Sequence, residues 1–247
     1  RSASQDRRAG ASARLNPISM PKYEPLNPQD HGHLRLRPRS GNDPHFVQIV
    51  ASEFAAAAAS SPILFTKDPE KGSFYAGAMF GFKPAEPALK SAAERGGFEP
   101  LSLQREGFFL AGESIVIDRD SPRFSESDGD PLFDASQKPS TRLRQMQGLL
   151  GKLHAGLEAT NAFIRALVEL RVIEPIDVSL EFDDGEKLKL QGLYTVSLDS
   201  LHALGDSQAV RLFPTGYLQL PYVTAGSLNQ IGVLARMRNQ RLSGALR

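Results

Sequence analysis

Apolar and polar residues change their spacing about half-way along the chain, and the change predicts two kinds of structure. In "HLRLRPR" they alternate strictly, so Leu34 and Leu36 share one face of a strand, with Arg35 and Arg37 on the other. "FVQIVASEFAAAAASS" begins as a strand and passes into a short Ala-rich helix near Ser52. "SPILFTKD" reads as a buried strand, with Pro62 at its start, where Pro is tolerated. "SFYAGAMFGF", "FFLAG" and "ESIVIDRD" supply three more strands with aromatic or β-branched content. The first half is mostly β.

From Ser140 the period becomes helical. Leu143, Met146, Leu150, Leu153, Leu157, Thr160, Ile164 and Leu167 recur in steps of three and four, a seam of about four heptads. Ser140 or Thr141 suits the N-cap, Pro175 closes the region, and the helix should be roughly 45 Å long. Such a seam fits a coiled coil with another chain. It also fits packing along the chain's own sheet, which Leu149, Phe163 and Val168 favour by widening the stripe. "DVSLEFDDGEKLKLQGLYTV" then reads as a hairpin turning at Asp184-Gly185. Three short helices should follow, starting near Leu198, Ser207 and Thr224; Pro214 and Gly216 stop the second. The expected class is α+β: a β-rich N-terminal half with a mixed or antiparallel sheet, a long central helix, a hairpin and short C-terminal helices.

Composition narrows this picture without redirecting it. The 247 residues are 40% hydrophobic and 23% charged, and there is no Cys to form a disulfide. The net charge of +1 is a cancellation. Arg1, Arg7, Arg8 and Arg14 make the first segment basic, as Arg236, Arg238, Arg241 and Arg247 do the last, so the body between is acidic. An acidic body argues against a nucleic-acid-binding face. The longest apolar stretch, "FAAAAASSPILF", is too short to span a bilayer, and the N-terminus carries no hydrophobic export segment. We therefore expect a disordered extension over 1–19, a single domain over 20–240 and a basic tail over 241–247, its cations suiting a helix end.

Two polar clusters invite a chemical reading. Asp118, Asp120, Glu126, Asp128, Asp130 and Asp134 could offer oxygen ligands to a cation or a pair of carboxylates for acid/base work. The spacing misses the calcium-loop template, since Pro131 follows Asp130 and no closing Glu appears. A surface loop is the plainer reading. His31 and His33 stand two apart, with His45 or Glu53 available to complete a metal site. Their plain reading is surface histidines of a polar arm. Arg35, Arg37 and Arg39 form a row able to clamp a carboxylate or phosphate, or to pair with the acidic body. Ser114 lacks the second Gly of a nucleophile elbow, and His154 falls within the long helix. Phe74, Tyr75, Phe80, Phe82, Phe108 and Phe109 could line a carbohydrate or small-molecule site, although strand positions suit them better to a core.

"PLNPQDHGHLRLRP", "ASEFAAAAASSPILFTKDP", "ESIVIDRDSPRFSESDGDPLFD", "LQGLYTVSLDSLHAL" and "GYLQLPYVTAGSLNQIGVLARM", in this order from about Tyr23 to Met237, resemble the SapC family of bacterial proteins. The resemblance implies a part in surface-layer production or export, or beside outer-membrane uptake systems. It implies no reaction, cofactor or catalytic residue. It also implies that "IDRDSPR…GDPLFD" joins the β-rich half to the long helix, with Leu132 and Phe133 landing beside Leu143. The resulting expectation is a non-enzymatic accessory protein, cytoplasmic or envelope-associated, that binds a protein partner. Leu150, Leu153 and Leu157 of the seam, with Arg35 and Arg37, are the expected contact surface, and a homo-oligomer through the helix is the related outcome. The alternatives are a metal-dependent enzyme using His31, His33 and His45 or Asp118, Asp120, Asp128 and Asp130, and a small-molecule binding module.

Overall fold

One helix, Thr141–Glu169, runs past two separate hydrophobic cores and joins them. The structure is a computed structural model that describes residues 22–40, 43–84, 86, 88–213 and 216–245. The extension over 1–19 and the last two residues of the basic tail lie outside them. Ser140 caps the helix, its hydroxyl accepting from the Leu143 amide at 3.2 Å. The helix stops six residues before Pro175. Arg171 adopts a left-handed conformation (φ 57°), and the Val172 amide reaches back to the Leu167 carbonyl at 3.1 Å. With the Arg171 amide on the Val168 carbonyl, this is a Schellman stop.

The larger sheet has five strands in the order Ile173–Pro175, Leu193–Val196, Ile63–Lys67, Phe74–Met79 and Phe46–Gln48, every neighbour antiparallel. Pro175 sits on its edge strand, where a missing N–H costs no ladder bond. The second half of the long helix packs here, placing Phe163, Ile164 and Leu167 against Phe54, Ile63, Phe65 and Ala78. The close approach depends on Gly156, because a Cβ there would lie 2.8 Å from Val50. Thr160 interrupts the apolar seam for a reason. Its hydroxyl accepts from the Ala51 amide at 2.8 Å and donates to the Gly156 carbonyl.

The first half of the helix packs on two small antiparallel sheets. One orders Tyr23–Pro25, Ser114–Asp118 and Phe108–Ala111; the other orders Phe124–Ser125, Arg35–Leu36 and Asp130–Pro131. Leu34, Leu36, Phe108, Ile117, Leu132 and Phe133 meet Leu143, Met146 and Leu150 in this second core. The landing of Leu132 and Phe133 beside Leu143 is thus observed. The architecture is α+β.

The seam corrects one expectation. Leu150 and Leu153 are buried by their own chain and Leu157 is half-buried, so they form no exposed stripe. The predicted hairpin also divides. Val178–Glu181 pairs with Lys187–Leu190, and the chain then turns at Gly192 (φ 72°) so that Leu193–Val196 enters the five-stranded sheet. At the C-terminus, Gln219–Ser227 and Asn229–Ala245 replace the single predicted helix. Pro221 lies in a first turn, whose amides have no intrahelical partner to lose. Arg238, one of the basic residues of the last segment, is buried against Glu86 and Glu186 and lies over the Phe182 ring.

Candidate functional site

The acidic stretch is organised as turns. The Ser121 amide donates to the Asp118 carbonyl, and the Phe124 amide to the Ser121 carbonyl. Gly129 (φ 104°) lets the loop lie against the backbone of Leu36, and the Arg35 guanidinium holds the Gly129 carbonyl at 2.9 Å. Its carboxylates point to different cations. Glu126 meets Arg119 at 3.1 Å and His33 at 3.5 Å, Asp128 meets Arg37 at 3.4 Å, and Asp130 lies 3.9 Å from Arg142. Asp118 accepts from the Asp120 amide, and Asp134 from the amides of Ser136 and Lys138.

The histidines separate as well. His31 ends a helical turn, Pro28–His31, rather than standing on a strand with His33; it is buried, with Nε2 3.2 Å from Glu24. His33 is exposed. His45 is half-buried, and burial lowers its pKa. Glu53 spends both oxygens on backbone, accepting from the Val50 amide at 2.9 Å and the Leu101 amide at 2.8 Å. Burial raises its pKa despite those two bonds. Among the described residues no three His, Asp or Glu side chains group to hold a metal ion. The proposed sets His31, His33, His45 and Asp118, Asp120, Asp128, Asp130 therefore do not converge. His154 is exposed beside Glu158, and Ser114 is exposed at the start of its strand. The aromatics serve packing: Phe80, Phe82 and Phe108 are buried, Phe82 meets Phe182 and Phe108 meets Phe124.

What the fold does build is a cleft of about 860 Å³ between the long helix and three connecting segments. Arg142, Gln145, Met146, Leu149 and Lys152 line it from one helix face, at successive helical turns. Arg39 and Asp43 face them from the loop after Arg35–Leu36, Glu99 and Leu101 from the segment before Phe108, and Arg123 from the turn after Asp118. Behind this wall lies a charge network. Arg95, fully buried, donates to Asp43 and stacks over the Phe80 ring, 4.0 Å from its centre. Arg39 donates to the other oxygen of Asp43 at 3.0 Å, to Glu99 at 2.5 Å and to Glu106 at 3.0 Å. Burial opposes the charge of Arg39, but its bonds to Glu99 and Asp43 outweigh that and raise its pKa.

Sequence reading placed Arg39 in a cationic row but passed over Asp43, Arg95 and Arg123. Asp43 and Arg95 are 52 residues apart, so no local spacing announces their pairing. Arg35 and Arg37 hold a backbone carbonyl and Asp128, within their own sheet and loop.

The family model for SapC matches residues 26–234, both cores and the cleft included. The chain belongs to the SapC family. No curated protein and no solved structure matches it. The matched region of this SapC chain begins near Leu26, beside the first small sheet, and ends at Leu234, buried under the Val178–Leu190 hairpin.

Proposed function

We propose that this chain is a non-enzymatic accessory protein of a bacterial cell-envelope pathway, serving surface-layer production or export, or outer-membrane uptake, by binding a protein partner. We place it on the cytoplasmic side; among the described residues no helix is long and apolar enough to cross a membrane. The partner surface is not the seam but the C-terminal helices. Leu198, Val210, Phe213 and Tyr222 are exposed there, Val210 and Phe213 at 66% and 72%. These two stand three residues apart, one turn of Asp206–Leu212 and its end, while Leu212 between them is buried and fixes the helix. The one-turn spacing of the exposed Val210 and Phe213 is the observation supporting the reading. Large exposed apolar side chains on one helix, with the charged Asp206 and Arg211 beside them in the chain, suit an interface centre. Its occupant is a protein surface with an apolar centre and a polar rim.

The test is site-specific photo-crosslinking from position 213 in the native bacterium. One discrete heterologous adduct, lost in the Val210→Asp background while the circular dichroism melt is unchanged, supports the proposal. A homodimer adduct alone, or an adduct indifferent to Val210→Asp, contradicts it.

A further inference from the structure

The cleft carries an unbalanced charge. Its lining holds four cations, Arg39, Arg123, Arg142 and Lys152, against two carboxylates, Asp43 and Glu99. Adding Arg95 and Glu106 behind the wall leaves the same excess of two. The excess does not come from Arg39 and Arg95, which share the three carboxylates Asp43, Glu99 and Glu106. It comes from the other three.

Arg123 is 3% exposed, yet no carboxylate among the described residues lies within 4 Å of its guanidinium. Nε donates to the Arg37 carbonyl at 2.8 Å and Nη1 to the Gln104 carbonyl at 3.2 Å. Those bonds fix the plane of the group without cancelling its charge. Burial pushes its pKa down; Glu106 and Glu99 offset this in part, while Arg142 and Arg39 add repulsion. Arg142 stands opposite on the helix, with its buried Nε unbonded and its nearest carboxylate, Asp130, 3.9 Å away. Lys152 is exposed and has no carboxylate within 4 Å among the described residues. A buried guanidinium with neutral partners is an expensive arrangement, and an anion entering the cleft would relieve it. Between these cations the walls are apolar, from Pro38, Ala92, Leu101, Met146 and Leu149. The volume falls in the range of small-molecule sites.

We propose that this cleft binds a small organic anion, a phosphate monoester or a carboxylate, carrying an apolar group. The anionic head lies against Arg123, Arg142 and Lys152, and the apolar part against Met146 and Leu149. The site is independent of the protein-partner surface, so purified chain alone suffices to test it.

Phenyl phosphate, benzoate, inorganic phosphate and neutral benzyl alcohol are titrated by calorimetry at low salt, with thermal shift as a second readout. The expected result is that phenyl phosphate, benzoate or both bind and raise Tm, more strongly than inorganic phosphate, while benzyl alcohol does not. Arg142→Gln with Lys152→Gln, both at surface-accessible positions, should keep the parent melt and weaken binding about tenfold or more. Arg123→Gln would weaken it further but risks the fold, so the double variant decides. Absence of binding by both aromatic anions at millimolar concentration overturns the proposal. So does binding that the double variant leaves unchanged, or equal binding of benzyl alcohol.

Discussion

The charges of residues 118–134 and those around Asp43 make an instructive pair. The first group is dense, conspicuous and wet: Glu126, Asp128 and Asp130 are each about 70% exposed and face the long cations Arg119, Arg37 and Arg142. The second is sparse in the sequence and dry in the fold, with Asp43 and Arg95 both buried. Exposed pairs gain little because water screens them, whereas a buried charge that loses its partner is stranded. Crowding of acids along a sequence therefore marked solvent here. The charges that organise the cleft, Arg39, Asp43, Arg95, Glu99 and Arg123, are spread over separate segments of the chain.

The largest effect should come from breaking the dry group. Asp43→Ala strands Arg95 and removes one of Arg39's partners, and urea unfolding should show a loss of about 3–5 kcal/mol. A loss near zero would make the network an ornament of the surface. Next comes the seam. Leu150→Ala leaves a cavity in the smaller core and should cost about 2–5 kcal/mol with an unchanged denaturant slope. A stable variant would return Leu150 to the exposed surface that the helical period alone allowed.

Glu53→Gln should cost about 1–3 kcal/mol, because the amide can accept only one of the two backbone donors now shared by the carboxylate. This group also gives the pH dependence a sign. Burial holds its folded pKa above the unfolded value, so the folded chain takes up the proton first. Stability from Glu53 accordingly rises as pH falls through that raised value, is complete below the ordinary carboxylate range, and disappears in Glu53→Gln. Urea midpoints of the parent chain and Glu53→Gln, compared across pH 4 to 7, read this directly. The smallest effect is a gain: Arg171→Gly relieves a left-handed non-glycine residue at the helix stop and should add about 1 kcal/mol.

Much of the fold was legible because one-sided burial writes a period into the chain. Leu34 and Leu36, the buried strand at Ile63, the Asp184-Gly185 turn and the Ser140 cap all follow from local pattern. The misses have physical causes. Phe124–Ser125 and Asp130–Pro131 are two-residue strands that exist only because Arg35–Leu36 lies between them, a long-range pairing no short window contains. Leu193–Val196 continued the hairpin's alternation, so its departure into another sheet left a single trace, the Gly192 turn. Arg171 replaced the glycine that usually announces a helix end. The cleft was less legible still. Its helix face was visible in Arg142, Gln145, Leu149 and Lys152, but the opposite wall assembles from separate upstream loops around Arg39, Glu99 and Arg123.

The most direct measurement is a pair of double-mutant cycles by urea unfolding, Asp43→Ala with Arg95→Ala against Asp128→Ala with Arg37→Ala. A coupling of several kcal/mol in the first pair and less than about 0.5 kcal/mol in the second is the predicted result. Equal couplings, or a larger one in the acidic stretch, would contradict the account.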